Sequence, residues 1–246
     1  MVGEVIAVLS GKGGTGKTSV CAGVAAALAE SGLKVLAIDC DVGLRNLDIS
    51  LGISDMAALS FLDISEGTYT FDQISAHPRY KTLFFLTAPM TRTPERISVE
   101  AFTAMLRSAR KLYDYILLDA PAGVDAGFRL AASGADRCVL VTGSDPASIR
   151  DAARTADILE LMGKNSVRLV VNRVDPKMVS HMDLTIDDVM DSAGLPLLGL
   201  VPEDGNVTLA ASYGTSLLQQ TKKGAAAACR RIAKRIQGIP EPINIR

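Results

Sequence analysis

No CxxC pair occurs among the four cysteines, Cys21, Cys40, Cys138 and Cys229. This gives neither a zinc-site spacing nor the framework of a secreted disulfide scaffold, so each cysteine is expected to be a small buried apolar residue. Charge of one sign is also missing, with 26 Lys plus Arg against 27 Asp plus Glu; no global field draws the chain to DNA or anionic lipid. The start has no basic leader before the apolar stretch at Val5, and the longest apolar run, Val20 to Ala29, is about half a bilayer span. The expected location is the cytoplasm. Low-complexity segments, long linkers and repeats of solenoid length are absent as well.

What is present is an apolar fraction of 48% over 246 residues, enough for the core of one large α/β domain over 1–246. Seven short β-rich runs recur: EVIAVLS, KVLAIDC, LFFLTA, YDYILLDA, RCVLVTG, VRLVVN and LPLLGLV. Most are separated by helical spacing, which predicts βαβ units and a mainly parallel central sheet flanked by helices on both faces, a three-layer sandwich. From Lys17 to Ser31 the apolar positions are mostly small, allowing that helix to lie close to the sheet. Ligands of such sheets bind beyond the carboxyl ends of the strands. Gly11 to Thr18, Asp39 and Asp41, Asp119 and Asn172 follow four of those ends.

Gly11, Lys12, Gly13, Gly14, Thr15, Gly16, Lys17 and Thr18 fit GxxxxGK[ST], after a strand and at the opening of a helix. This is the context of a phosphate loop of a P-loop NTPase. Its glycines let backbone N–H groups turn inward, and the helix N-terminus favours anions. Lys17 is expected at the β- and γ-phosphates and Thr18 at Mg²⁺, with Asp119 as the acidic partner of the metal. Asp39 and Asp41 are expected to point opposite ways if the strand persists, only one facing the phosphates. Asp41 is chosen to orient the attacking water, and Asp39 to meet Mg²⁺ or Thr18; both could also be strand-end caps. VVNRVD (170–175) is similar to the NKxD element that holds guanine in GTPases, with Arg173 in place of its lysine, so ATP is preferred.

The second lysine of the loop, Lys12, gives KGGTGKT the deviant Walker A pattern, and here the chain resembles the MinD/ParA ATPase family. DCDVGLRNLD (39–48), LLDAPAG (117–123), SIRDAARTADIL, VVNRV, MDLTIDDV and GLVPEDGNV look like its MinD branch, over roughly residues 3 to 238. The resemblance implies a monomer with ADP and a face-to-face dimer around two ATP molecules, in which Lys12 reaches the partner's phosphates. Such fingers supplied in trans are worth about 10³ to 10⁵ in rate. It also implies septum placement as the function, Asn46 at the dimer interface, and Asn172 against the adenine amino group. The backbone around Pro202, Glu203 and Asp204 would close over the ring, and Arg173 is counted with the nucleotide-binding residues. Ser148, Arg150, Asp151 and Arg154 match the region that binds MinC-like and MinE-like regulators, although a charged helix face is usually only solvated surface.

The pattern departs from the family at the end, where known members continue into an amphipathic membrane-binding helix. GIPEPINIR carries Pro240 and Pro242 and is expected as an extended tail over 238–246, so liposome binding is expected to be weak. KKGAAAACRRIAKRI places Arg230, Arg231, Lys234 and Arg235 opposite Ala225, Cys229, Ile232 and Ile236. It is expected as the last helix of the domain, packed on the sheet, with membrane contact as the lesser alternative. A ParA-like binder of nonspecific DNA is the runner-up function, and GLRNLD and PAG argue against it. Iron–sulfur ATPases need cysteines that this sequence does not pair. A related tyrosine kinase would carry a terminal tyrosine cluster, whereas the last tyrosine here is Tyr213.

Overall fold

The computed structural model describes residues 2–90, 92–175 and 186–243. Each of the seven apolar runs forms a strand: β1 (Glu4–Leu9), β2 (Val35–Asp39), β3 (Leu83–Leu86), β4 (Tyr115–Asp119), β5 (Arg137–Thr142), β6 (Val167–Val174) and β7 (Leu197–Pro202). They make one sheet in the order β3-β2-β4-β1-β5-β6-β7, and every pairing is parallel. The sheet is therefore wholly parallel, where the sequence predicted mainly parallel. The strands are apolar over most of their length because both faces are covered, with polar residues chiefly towards their ends. Along β1 the side chains alternate with period two: Val5, Ala7 and Leu9 enter one core, Ile6 and Val8 the other.

The helices are α1 (Lys17–Glu30), α2 (Leu47–Leu51), α3 (Phe61–Ser65), α4 (Val99–Ala109), α5 (Ala126–Gly134), α6 (Pro146–Leu161), α7 (Ile186–Ala193), α8 (Asn206–Ser212), α9 (Leu217–Gln220) and α10 (Gly224–Ile236). One core receives side chains from α3, α4, α5, α6 and α7; the other receives α1, α2, α9 and α10. The small residues of α1 serve its crossing with α10. A Cβ on Gly23 would lie 2.5 Å from Cys229 Sγ, so nothing larger than glycine fits without separating the two helices. All four cysteines are free and buried.

The terminal helix packs as expected, with Ala225, Cys229, Ile232 and Ile236 buried against the sheet side. That face is consumed by the core, which removes it as a membrane-contacting surface. Of its cations, Arg230 pairs with Glu30, Lys234 with Glu241, and Arg235 donates to the Leu198 carbonyl at 2.9 Å. Residues 238–243 of the tail are not helical; 244–246, and the MDLT portion (182–185) of the MDLTIDDV segment, lie outside the described residues. No helix among the described residues is long and apolar enough to cross a membrane.

Candidate nucleotide site

The loop Ser10–Gly16 leaves central strand β1 and opens α1. Two of its glycines are dictated by what lies beside them. At Gly16 the backbone is left-handed, φ 80, and a Cβ would lie 2.2 Å from Asn172 Nδ2; at Gly11 it would lie 2.2 Å from Thr155 Oγ1 and 2.9 Å from the Asp151 carbonyl of α6. The loop is thus wedged between β6 on one side and α6 on the other. Gly13 and Gly14 are exposed, while Thr15 and Lys17 are buried.

Strand register collects the acidic residues. Val8 pairs with Asp119, and Asp119 with Asp39, which sets two buried carboxylates directly behind the loop. Lys17 Nζ donates to Asp119 Oδ1 at 2.5 Å and to Thr18 Oγ1 at 3.3 Å, and the Thr18 hydroxyl also lies within hydrogen-bonding reach of Asp119. Burial pushes the Asp119 carboxyl above its ordinary range against the pull of Lys17. Burial, with the neighbouring Asp119, raises Asp39 to about 7.

The expectation for Asp39 and Asp41 needs correction. Residues two apart on a strand share a face, and β2 ends at Asp39 in any case. The chain turns there because Asp39 Oδ1 accepts from the Asp41 N–H at 2.8 Å and Oδ2 from the Leu47 N–H at 3.1 Å. Asp39 therefore folds the 41–47 segment around itself, and the Thr18 hydroxyl is directed to Asp119 rather than to it. Asp41 is half-buried beside this cluster.

Asn172 does not follow β6, as the sequence suggested, but lies inside it. The β6–β7 register shifts between Val171 and Val174, and Arg173 takes the left-handed conformation, φ 58. This bulge re-aims both side chains. Asn172 turns inward and donates through Nδ2 to the Thr15 carbonyl at 2.7 Å. Arg173 turns across the loop. Both line a cavity of about 190 Å³ with Pro202, Glu203 and Asp204, as expected, and with Val20, Leu217, Ala225 and Cys229, which the sequence did not point to. Asp204 is spent on structure, accepting from the Asn206 and Ala225 N–H groups at 2.9 Å each.

Of the residues expected to meet partners, Lys12 is exposed on the loop and faces an open cavity of about 370 Å³ bounded also by Asp145 and Ser148. Asn46 is exposed at the start of α2, and its side chain makes no cap, which removes the capping role as its explanation. Arg150 and Arg154 are exposed and Asp151 half-exposed on α6. Ser148 is a correction: it is 5% exposed, its hydroxyl donates to Asp145 Oδ2 at 2.5 Å, and its N–H to Oδ1 at 3.0 Å. It belongs to the N-terminal cap of α6, not to a recognition surface.

Among the described residues, no group of three or more His, Cys, Asp or Glu is placed to hold a metal alone. The donors present, one hydroxyl and one or two carboxylates beside a phosphate loop, are instead those with which Mg²⁺ binds jointly to a nucleotide. The model of the CobQ/CobB/MinD/ParA nucleotide binding domain matches residues 6–217. A putative septum site-determining protein MinD of Nephroselmis olivacea is 39% identical over 97% of this chain and 89% of its own length. The MinD of a MinC:MinD complex from Aquifex aeolicus superposes with TM-score 0.90 at 34% identity, covering 98% of both chains. MinD with Mg-ADP from Pyrococcus horikoshii superposes with TM-score 0.81 at 25% identity, covering 95% of both. With a matching phosphate loop, paired acids and full-length similarity, the chain belongs to the CobQ/CobB/MinD/ParA nucleotide-binding ATPase family, in its MinD branch.

Proposed function

We propose that the chain is an ATP-driven dimerisation switch that takes part in positioning the division septum. The observation that carries this reading is the contrast between its two loop lysines: Lys17 is buried on Asp119, whereas Lys12 is exposed and lines an open cavity that neither Lys17 nor Asp119 reaches. Lys17 serves the phosphates bound by its own chain. Lys12 is free to serve those of a second copy, which ties hydrolysis to assembly. Asn172 and the Pro202–Asp204 segment take the adenine, Asp41 orients the water, and Asn46 lies at the dimer face. Thr18 and Asp119 would hold Mg²⁺, with Asp39 behind them; the ion supplies neutralisation of phosphate charge.

Arg150, Asp151 and Arg154 form the docking face on α6 for regulators, a MinC-like inhibitor and a MinE-like activator. The α6 backbone touches Gly11 of the phosphate loop, so a partner on this helix is one contact from the nucleotide. Action is in the cytoplasm, with any peripheral association at the inner face of the membrane made through a surface other than the buried face of α10. A DNA-binding role is disfavoured because the cations of α10 are engaged by Glu30, Glu241 and backbone carbonyls.

Light scattering with ADP, with ATP, and with ATP after Lys12→Ala tests the reading. Monomer, dimer and monomer are expected in that order, with nucleotide still bound by the variant. An unchanged dimer and unchanged turnover in Lys12→Ala would falsify it.

A further inference from the structure

Arg173 holds three separate segments together. It lies at the β6 bulge with φ 58, a conformation uncommon for a residue with a side chain and one that persists where surrounding structure requires it. From there the guanidinium donates through Nε to Glu203 Oε2 at 2.8 Å and through Nη2 to Oε1 at 3.4 Å, the forked geometry that arginine offers a carboxylate. Its third arm, Nη1, donates to the Gly14 carbonyl at 3.2 Å. One side chain thereby fastens the phosphate loop to β6 and to the segment after β7. Arg173 and Glu203 also line both neighbouring cavities, the one holding Asn172 and the one above Lys12. The pair forms the boundary between the base end and the phosphate end of the site.

The side chains of the pair are 58% and 52% exposed. An exposed ion pair adds little to fold stability and exchanges readily with water. A strained backbone therefore supports a contact that does almost nothing for the fold, which points to a role in the site.

On the reading of this cleft as a nucleotide site, we infer that Arg173 is a positioning residue for residence of the nucleotide. Clasped to Glu203 and Gly14, it holds the phosphate loop against the base-binding segment; nucleotide leaves when the clasp opens. The guanidinium acts through the loop carbonyl and not on the reacting atoms, so binding and release change while the chemical step does not.

The test is the release rate of a fluorescent ADP derivative from the full chain, chased with excess ADP, for wild type, Arg173→Ala, Glu203→Ala and the double variant. Alanine is chosen over glycine because glycine would also relieve the left-handed backbone. Each single change is expected to speed release about fivefold, the upper end for an exposed pair. The double variant should release no faster than the faster single one. Added salt should speed wild-type release towards the variants and leave theirs unchanged, with thermal midpoints the same throughout. Release unaffected by either substitution, multiplicative effects, or equal salt dependence in all four proteins overturns the inference alone. Failure of wild type to bind the derivative overturns the nucleotide reading and the inference with it.

Discussion

Replacing Lys17 with methionine keeps the length of the side chain and removes its ammonium. In the folded protein that ammonium is 2.5 Å from Asp119, with side-chain exposures of 7% and 2%. Its loss leaves a carboxylate buried without its cation. Removing one member of a buried pair costs about 3–5 kcal/mol, because the remaining charge keeps its desolvation penalty, whereas removing both members costs far less. The phosphate-loop lysine is thus a folding residue as well as the proposed ligand of phosphate. Urea unfolding with chelator and no nucleotide should show a loss of about 3–5 kcal/mol for Lys17→Met. The Lys17→Met/Asp119→Asn protein should lose much less than the sum of the two single changes.

The pH dependence has a defined sign. Burial already holds the Asp119 carboxyl above its ordinary range, and Lys17 is what opposes this. Without Lys17 the folded protein takes up a proton at Asp119 more readily than the unfolded chain. Such a group contributes stability below its folded pKa and loses it as pH rises through that value. Lys17→Met should therefore recover towards wild type as pH is lowered. Single-variant costs under about 1 kcal/mol, additive costs, or a difference from wild type that ignores pH would each refute the reasoning.

Two further outcomes follow from close contacts elsewhere. Gly11→Ala puts a Cβ 2.2 Å from Thr155 Oγ1; it should cost about 1–3 kcal/mol by overpacking and weaken ATP binding in titration calorimetry, with Thr155→Ala restoring part of both. His77 is buried, its Nδ1 accepting from the Arg79 and Tyr80 N–H groups and its Nε2 bonded to the Leu51 carbonyl at 2.9 Å, and burial lowers its pKa. The unfolded chain then binds that proton more tightly, so stability should fall as pH drops below about 6.5; denaturant midpoints between pH 8 and 5.5 should show a flatter slope for His77→Gln.

Seven strands, their parallel sense and the phosphate loop were legible because each has a local signature: apolar runs of strand length, helical spacing between them, and glycines at fixed offsets. Asp119 was legible because it ends such a run. The orientation of Asp39 was not, since its partners, the N–H groups of Asp41 and Leu47, exist only once the chain has turned. Nor was the bulge at Asn172 and Arg173, for arginine carries no mark of a left-handed backbone as glycine or asparagine would. Ser148 entered the regulator-binding set by resemblance alone, although Asp145 three residues earlier is a cap signal that accounts for its burial. Cys229 and Ala225 reach the cavity beside Asn172 through the packing of α10 on α1, a contact across some two hundred residues that no local pattern records.

The cavity proposed for the base is lined by Gly16, Ser19 and Val20 and by Ala225 and Cys229. On the ribosome these walls are made at opposite times, the first among the earliest residues to emerge and the second among the last. A nascent chain that already displays its phosphate loop still lacks the wall that completes this cavity. On the proposed reading of the cavity, enclosure of the base waits until synthesis has passed Cys229, by which point every strand, β7 (Leu197–Pro202) included, has been made.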